Sequence, residues 1–172
     1  LTKKYAMKKL LFCLMSAVFF IACSHSRVSQ EVVKTAAQTD SLVDGKSFQF
    51  TAQNVQPLGG RSRILTTLYF VRVNNDKLQV DLPYFGKAYT ASINASESPL
   101  RFESTEFVYQ VEKKKDGRTL MIQPRGTDVR QLQFTIYDNG TAYLNVVSNS
   151  RQAINFTGYL QTLPVPKQTT NP

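Results

Sequence analysis

The sequence predicts an all-β domain: an antiparallel sandwich or a flattened, partly open barrel of about eight to ten strands, approached through a short N-terminal helix. Three observations carry this expectation. From Lys46 almost to the end, apolar and polar residues alternate with a period of two. Turn-forming pairs, Asp116-Gly117 and Asn139-Gly140 among them, punctuate the alternating runs. No spacing of Cys, His and carboxylates suggests a fold organised by metal or disulfides.

From the N-terminus, residues 1–6 read as a mis-assigned start extension, because Met7 followed by Lys8 and Lys9 opens a basic segment and Leu10 to Ala22 continue as an apolar run. That run falls short of the roughly 20 apolar residues a membrane helix needs. Residues 7–22 are therefore expected to be a secretory signal. The run closes on Phe20-Ile21-Ala22-Cys23-Ser24, which resembles the bacterial lipobox. The likeness implies that Cys23 carries diacylglycerol and becomes the first residue of the mature chain. Each buried methylene contributes about 0.8 kcal/mol, so two or three acyl chains hold firmly where one holds marginally. The expected location is the cell envelope, lipid-anchored, at the outer membrane facing the periplasm.

Residues 1–22 hold four of the 21 basic residues and none of the 12 acidic ones, so the formal charge of +9 falls to +5 in the mature chain. The basicity is thus partly a property of the signal. No arginine-rich helix or aromatic platform points to nucleic acid, and a mild attraction to anionic envelope surfaces is what remains. Cys13 leaves with the signal and Cys23 is acylated, so the mature chain is expected to have neither disulfide nor free thiol.

Residues 23–44 are expected to form a tether, within which Gln30 to Leu42 can make a short helix with Val33, Ala37 and Leu42 on one side. The all-β domain is placed at 45–162. Phe48 and Phe50 open the first alternating run, followed by Leu78, Val80 and Leu82, then by Phe107, Tyr109 and Val111. Further runs cover Leu120 to Gln123, Leu132 to Tyr137, Ala142 to Val147 and Ile154 to Leu160. Ile64 to Val73 carries bulk on both faces, which predicts a central strand covered on both sides. Gly59-Gly60 reads as a turn.

Two hairpins test the register. At Lys115-Asp116-Gly117-Arg118, a two-residue Asp-Gly loop pairs Val111 with Ile122 and Tyr109 with Pro124. At Asp138-Asn139-Gly140, a three-residue loop with Gly140 left-handed sets Phe134 against Leu144 and Leu132 against Val146, whereas a two-residue loop would mismatch Phe134 with Asn145. The tail, residues 163–172, is polar with several prolines and is expected to be disordered.

The only histidine, His25, lies just beyond Cys23, so Ser-His, Cys-His and histidine-metal chemistry are excluded from the folded domain. Asp81, Glu103, Glu106 and Asp128 are the carboxylates available to a glycosidase-like pair. Alternation puts Asp81 and Glu103 on the polar faces of their strands. Neither a phosphate-binding loop nor a calcium loop occurs. No metal, cofactor or catalytic residue is assigned. Lys113, Lys114 and Lys115 form a basic cluster before a turn, read either as a solvated edge guard or as a phosphate-binding finger.

Leu82-Pro83-Tyr84-Phe85-Gly86 is followed by Ala88-Tyr89, by Asn139-Gly140 and by the closing Arg151-Gln152-Ala153-Ile154-Asn155-Phe156-Thr157-Gly158. Over roughly Lys46 to Leu160 these residues resemble the Bacteroidota lipoprotein family known as domain of unknown function 4251. The resemblance implies an all-β envelope protein with a lipid signal and brings no established activity, ligand or catalytic residue. Asp40-Ser41-Leu42 likewise resembles the three-residue O-glycosylation site of that phylum, which makes Ser41 a candidate for modification.

Read from the residues, the Leu82 to Gly86 stretch is a corner. Pro83 cannot donate to a ladder, and Tyr84, Phe85 and Tyr89 either cap the core or form a ligand-facing patch. The candidate binding residues are therefore Tyr84, Phe85, Tyr89, Lys113, Lys114 and Lys115. The expectation is a non-enzymatic binding or structural module whose partner is an envelope protein, a glycan or a small apolar ligand, in addition to the membrane. The alternative is a lipocalin-like carrier with a cavity lined by Phe48, Phe50, Phe70, Tyr84, Phe85, Phe102 and Phe134.

Overall fold

The computed structural model describes residues 31–86 and 100–164. Cys23, Tyr89, the signal segment and residues 165–172, on which several expectations fall, lie outside the described residues. Among the described residues one helix, α1 (Ala36–Asp44), precedes nine strands: β1 (Ser47–Pro57), β2 (Arg63–Asn74), β3 (Lys77–Leu82), β4 (Leu100–Ser104), β5 (Phe107–Lys114), β6 (Gly117–Pro124), β7 (Val129–Tyr137), β8 (Thr141–Ser148) and β9 (Ile154–Gln161). All nine form one antiparallel sheet in the order β4-β3-β2-β1-β9-β8-β7-β6-β5. The sheet is curled into a half-barrel. Of the two predicted closures, the partly open barrel is the one the chain adopts.

Closure follows from the chain path. β4 and β5 occupy opposite edges, yet only Thr105 and Glu106 separate them. They run as one bent segment whose first part pairs with β3 and whose second part pairs with β6. Two linking residues reach no more than about 10 Å, so the edges must approach one another there and the sheet must curl.

The concave face holds the core. Phe48 and Phe50 from β1, Val71 and Val73 from β2, Leu120 and Ile122 from β6, Leu132, Phe134 and Ile136 from β7, and Phe156 from β9 are all buried. The rings of Phe48 and Phe50 meet Phe134 edge-on, at centroid distances of 6.4 and 5.5 Å. Space for these rings comes from a transverse row of small residues, Ala52, Gly158 and Ala142. A Cβ on Gly158 would collide with the Thr51 carbonyl and press on the Phe50 ring. The interior is therefore filled where a carrier would be hollow.

The three-residue loop at Asp138 to Gly140 forms as predicted, with Gly140 at φ +80°, Phe134 opposite Leu144 and Leu132 opposite Val146. Gly59, at φ +77°, turns the chain between β1 and β2 as expected, with Gly60 N donating to Pro57 O.

The other hairpin differs from expectation. Its loop is Lys115-Asp116, and Gly117 already belongs to β6, opposite Lys114, so Val111 faces Leu120 and Tyr109 faces Ile122. The partner slips by two residues, which preserves the face of every side chain. The reason lies across the sheet. Gly117, at φ +144°, lies against the backbone of β7, where any Cβ would collide with the Ile136 carbonyl. The glycine is required by strand packing as well as by the turn.

β2 also departs from expectation. Ile64 is 81% exposed and Leu68 58%. Ala52 pairs with Tyr69 and Asn54 with Ile64, so four residues of β2 stand opposite Gln53 alone. The resulting bulge lifts Leu65 to Leu68 out of the ladder, and β3 pairs only with Phe70 to Asn74.

The expected tether ends earlier than residue 44. Val33 and Val43 are buried, Val32 bridges Gln161, and Val33 N donates to Leu160 O. The helix begins at Ala36, later than the periodicity indicated, because Thr35 caps it: its hydroxyl accepts from Gln38 N at 3.3 Å. Its buried side chains are Thr39 and Val43.

Candidate functional site

The outer face of the half-barrel carries a hollow of about 310 Å³ across β1, β9, β8 and β7. The pleat decides its lining. Val55, Phe156, Leu144 and Phe134 point into the core, so their neighbours in each strand point out. Two transverse rows result. One runs Asn54, Thr157, Tyr143, Thr135, and the other Gln56, Asn155, Asn145, Gln133. Ser62 closes one side from the β1–β2 connection.

A β-bulge at Gln53 makes the first column of this array possible. Phe48, Phe50 and Ala52 face inward with period two, and if Gln53 took a regular place in the ladder Asn54 and Gln56 would follow them into the core. The register shift between Ala52 and Asn54, present against both β2 and β9, turns Val55 inward and Asn54 and Gln56 outward. Bulges commonly re-aim side chains beside functional sites.

The hollow is uncharged among the described residues, and its carboxamides and hydroxyls are set in a lining that is otherwise largely apolar. Among the described residues, no Asp, Glu, Lys, Arg or His side chain lines it. Asn54 Nδ2 donates to Thr157 Oγ1 at 3.1 Å, and Asn145 Nδ2 donates to Asn155 Oδ1 at 2.7 Å. Each carboxamide keeps further donor or acceptor capacity. Tyr143 is 51% exposed and is steadied by an edge-to-face contact with Tyr137, at 6.0 Å between centroids.

A third polar row crosses the outer face from β9 to β4, Gln161, Gln49, Arg72, Gln79, Glu103, each opposite the next in register. Arg72 Nη2 donates to Gln49 Oε1 at 2.6 Å and Nη1 to Gln79 Oε1 at 3.2 Å, while its guanidinium lies over the Phe70 ring at 4.5 Å. Burial lowers its pKa from the ordinary arginine value. Glu103 is held below the usual carboxylate range by hydrogen bonds from Lys77 and Gln79.

The predicted candidate residues fall at two separate places. Tyr84 packs against the core and its hydroxyl donates to Gln152 O at 3.1 Å, with Arg151 over its ring. Phe85, 41% exposed, lies under the Arg63 guanidinium at 4.9 Å. Lys113, Lys114 and Lys115 sit at the far end of the sheet beside α1, where Lys113 pairs with Asp40 and Lys114 with Glu112. The length of β9 separates Arg151 and Gln152, beside Tyr84, from the α1 end. Ser41 is exposed on α1, next to a small hollow of about 140 Å³. Its neighbour Asp40 is engaged by Arg118.

Of the carboxylates considered for paired catalysis, Asp81 and Glu103 are diagonal neighbours on one face of β3 and β4, each bound to a cation, whereas Glu106 lies in the β4–β5 link and Asp128 just before β7. Asp81 pairs with Arg101 at 3.0 Å, Glu103 with Lys77 at 2.8 Å, and Asp128 ties Ser150 through both carboxylate oxygens. None of them lines the outer-face hollow. Sequence reasoning missed Asn54, Gln56, Gln133, Tyr143, Asn145 and Asn155, which look like ordinary exposed positions of alternating strands. The one available signal was the break in period between Ala52 and Val55.

A family model described as "Domain of unknown function (DUF4251)" matches residues 30–160. No curated protein matches the chain. Among solved structures, the chain is similar to the crystal structure of a DUF4251 family protein from Bacteroides eggerthii, with a TM-score of 0.55 and 17% identity over 74% of this chain and 89% of that one. That likeness shows the fold.

Proposed function

This chain belongs to the DUF4251 family, and on that premise we propose that it is an exported, lipid-anchored envelope protein that binds its partner without catalysing a reaction. The observation that carries the binding role is the outer-face hollow: pre-formed, built around a bulge, and set in the middle of the sheet. A non-catalytic role is supported by its chemistry, which offers hydrogen-bonding groups with no carboxylate, histidine or lysine to move a proton. The carrier reading draws less support, because Phe48, Phe50 and Phe134 fill the interior with ring contacts.

Anchoring rests on the sequence at Cys23, preceded by its basic and apolar segments. Acylation there would fix the domain to an envelope membrane, most simply the outer membrane with the domain in the periplasm. The test is Cys23→Ser, followed by detergent-phase partitioning and palmitate labelling. Wild-type protein is expected in the detergent phase with label, and the variant in the aqueous phase or uncleaved without it. Unchanged partitioning of the variant overturns the anchor.

A further inference from the structure

We propose that the outer-face hollow is a binding site for a neutral saccharide, an assignment that deepens the binding role above and rests on it. The first argument is charge. Among the described residues the lining has no charged side chain, so an anionic or cationic ligand would surrender its hydration there without a counter-charge. The second is the balance of donors and acceptors. A carboxamide presents two N–H donors beside a carbonyl acceptor, the pair that lets Asn and Gln grip an adjacent donor and acceptor in nucleic acids. Vicinal hydroxyls of a sugar offer that same pair, since each hydroxyl both donates and accepts.

The spacing fits a ring with several such groups. Asn54, Gln56, Asn155 and Asn145 occupy adjacent positions on three neighbouring strands, about 4.5–5.5 Å apart across strands and about 7 Å along them. The Asn145–Asn155 and Asn54–Thr157 bonds already hold these amides in place, which lowers the ordering cost of binding. Tyr143, half-exposed and braced by Tyr137, supplies the electron-rich ring face on which sugar C–H groups rest. A volume near 310 Å³ is at the small end of ligand sites and suits a short saccharide.

Two competitors fit less well. An extended peptide is usually captured by adding a strand to a sheet edge, but this hollow lies over interior strands whose backbone groups are already paired. An apolar ligand would leave the remaining donors and acceptors of several amides desolvated and unpaired, which costs binding energy.

The test applies the mature protein, in detergent, to an array of neutral oligosaccharides, anionic oligosaccharides and unmodified peptides, and takes the strongest neutral binder to titration calorimetry. Retention on neutral glycans is expected, with affinity unaffected by added salt. Asn155→Ala and Tyr143→Ala should each weaken binding about tenfold or more, while Lys114→Ala, in the basic cluster, should not. Circular dichroism of the variants confirms folding, and Asn155→Asp, nearly isosteric, should also weaken binding. Retention only on anionic glycans, retention only on peptides, no retention at all, or affinity indifferent to Asn155 and Tyr143 each overturns the saccharide assignment. Partitioning that still depends on Cys23 would then leave the anchored-protein reading standing.

Discussion

Tyr109 illustrates how one side chain fastens the helix to the barrel. Its hydroxyl donates to Val43 O at 2.6 Å, Lys46 Nζ lies 5.3 Å from its ring centroid, and Val43 itself is buried. Burial, seconded by the charge of Asp44, raises the phenol's pKa well above its ordinary value. A phenol whose folded pKa is raised contributes stability that is complete below the unfolded pKa, about 10, and is lost as pH climbs beyond it. Wild-type protein should therefore lose thermal stability above about pH 10. Tyr109→Phe is expected to be about 1 kcal/mol less stable at neutral pH, for want of the hydrogen bond, yet less sensitive to alkali. Melting curves at neutral and alkaline pH decide it, and parallel losses in the two proteins would count against the assignment.

At the scale of elements, the β1 bulge links fold to site. Gln53 is the residue in excess, since Ala52 and Asn54 face consecutive residues of β9, Gly158 and Thr157. Deleting it would leave Val55 inward and Asn54 and Gln56 outward in unbroken alternation, and would remove only the local bend of the bulge. The deletion variant is expected to stay within about 1 kcal/mol of wild type in urea denaturation; a loss of several kcal/mol would mean that the bent backbone itself is needed to pack β1 against β9. Helix α1 is an integral element by the same logic. Arg118, almost wholly buried on β6, reaches Asp40 and Asp44, and Thr39 Oγ1 donates to Asp138 O in the β7–β8 loop. These contacts join residues far apart in sequence, which is why periodicity alone suggested a loose tether.

For the molecule as a whole, the two residues between β4 and β5 hold the curl. Inserting four glycines between Thr105 and Glu106 is expected to lower the urea midpoint by the equivalent of about 1 kcal/mol or more, through added chain entropy and relaxed edges. An unchanged midpoint would show that core packing alone maintains the curvature. The sequence by itself determined that the domain is all-β, which face of most strands is buried, and how Asp138 to Gly140 turns, because these depend on a two-residue period and local turn chemistry. Only the tertiary structure decided that Gly117 belongs to a strand, that Ile64 and Leu68 are left exposed, and that Asn54, Asn145 and Asn155 converge. Each of those outcomes depends on what the neighbouring strand presents at that level. Register across β1, β9 and β8 is fixed by the packing of Phe48, Phe50 and Phe134 together, and no local stretch of chain encodes it.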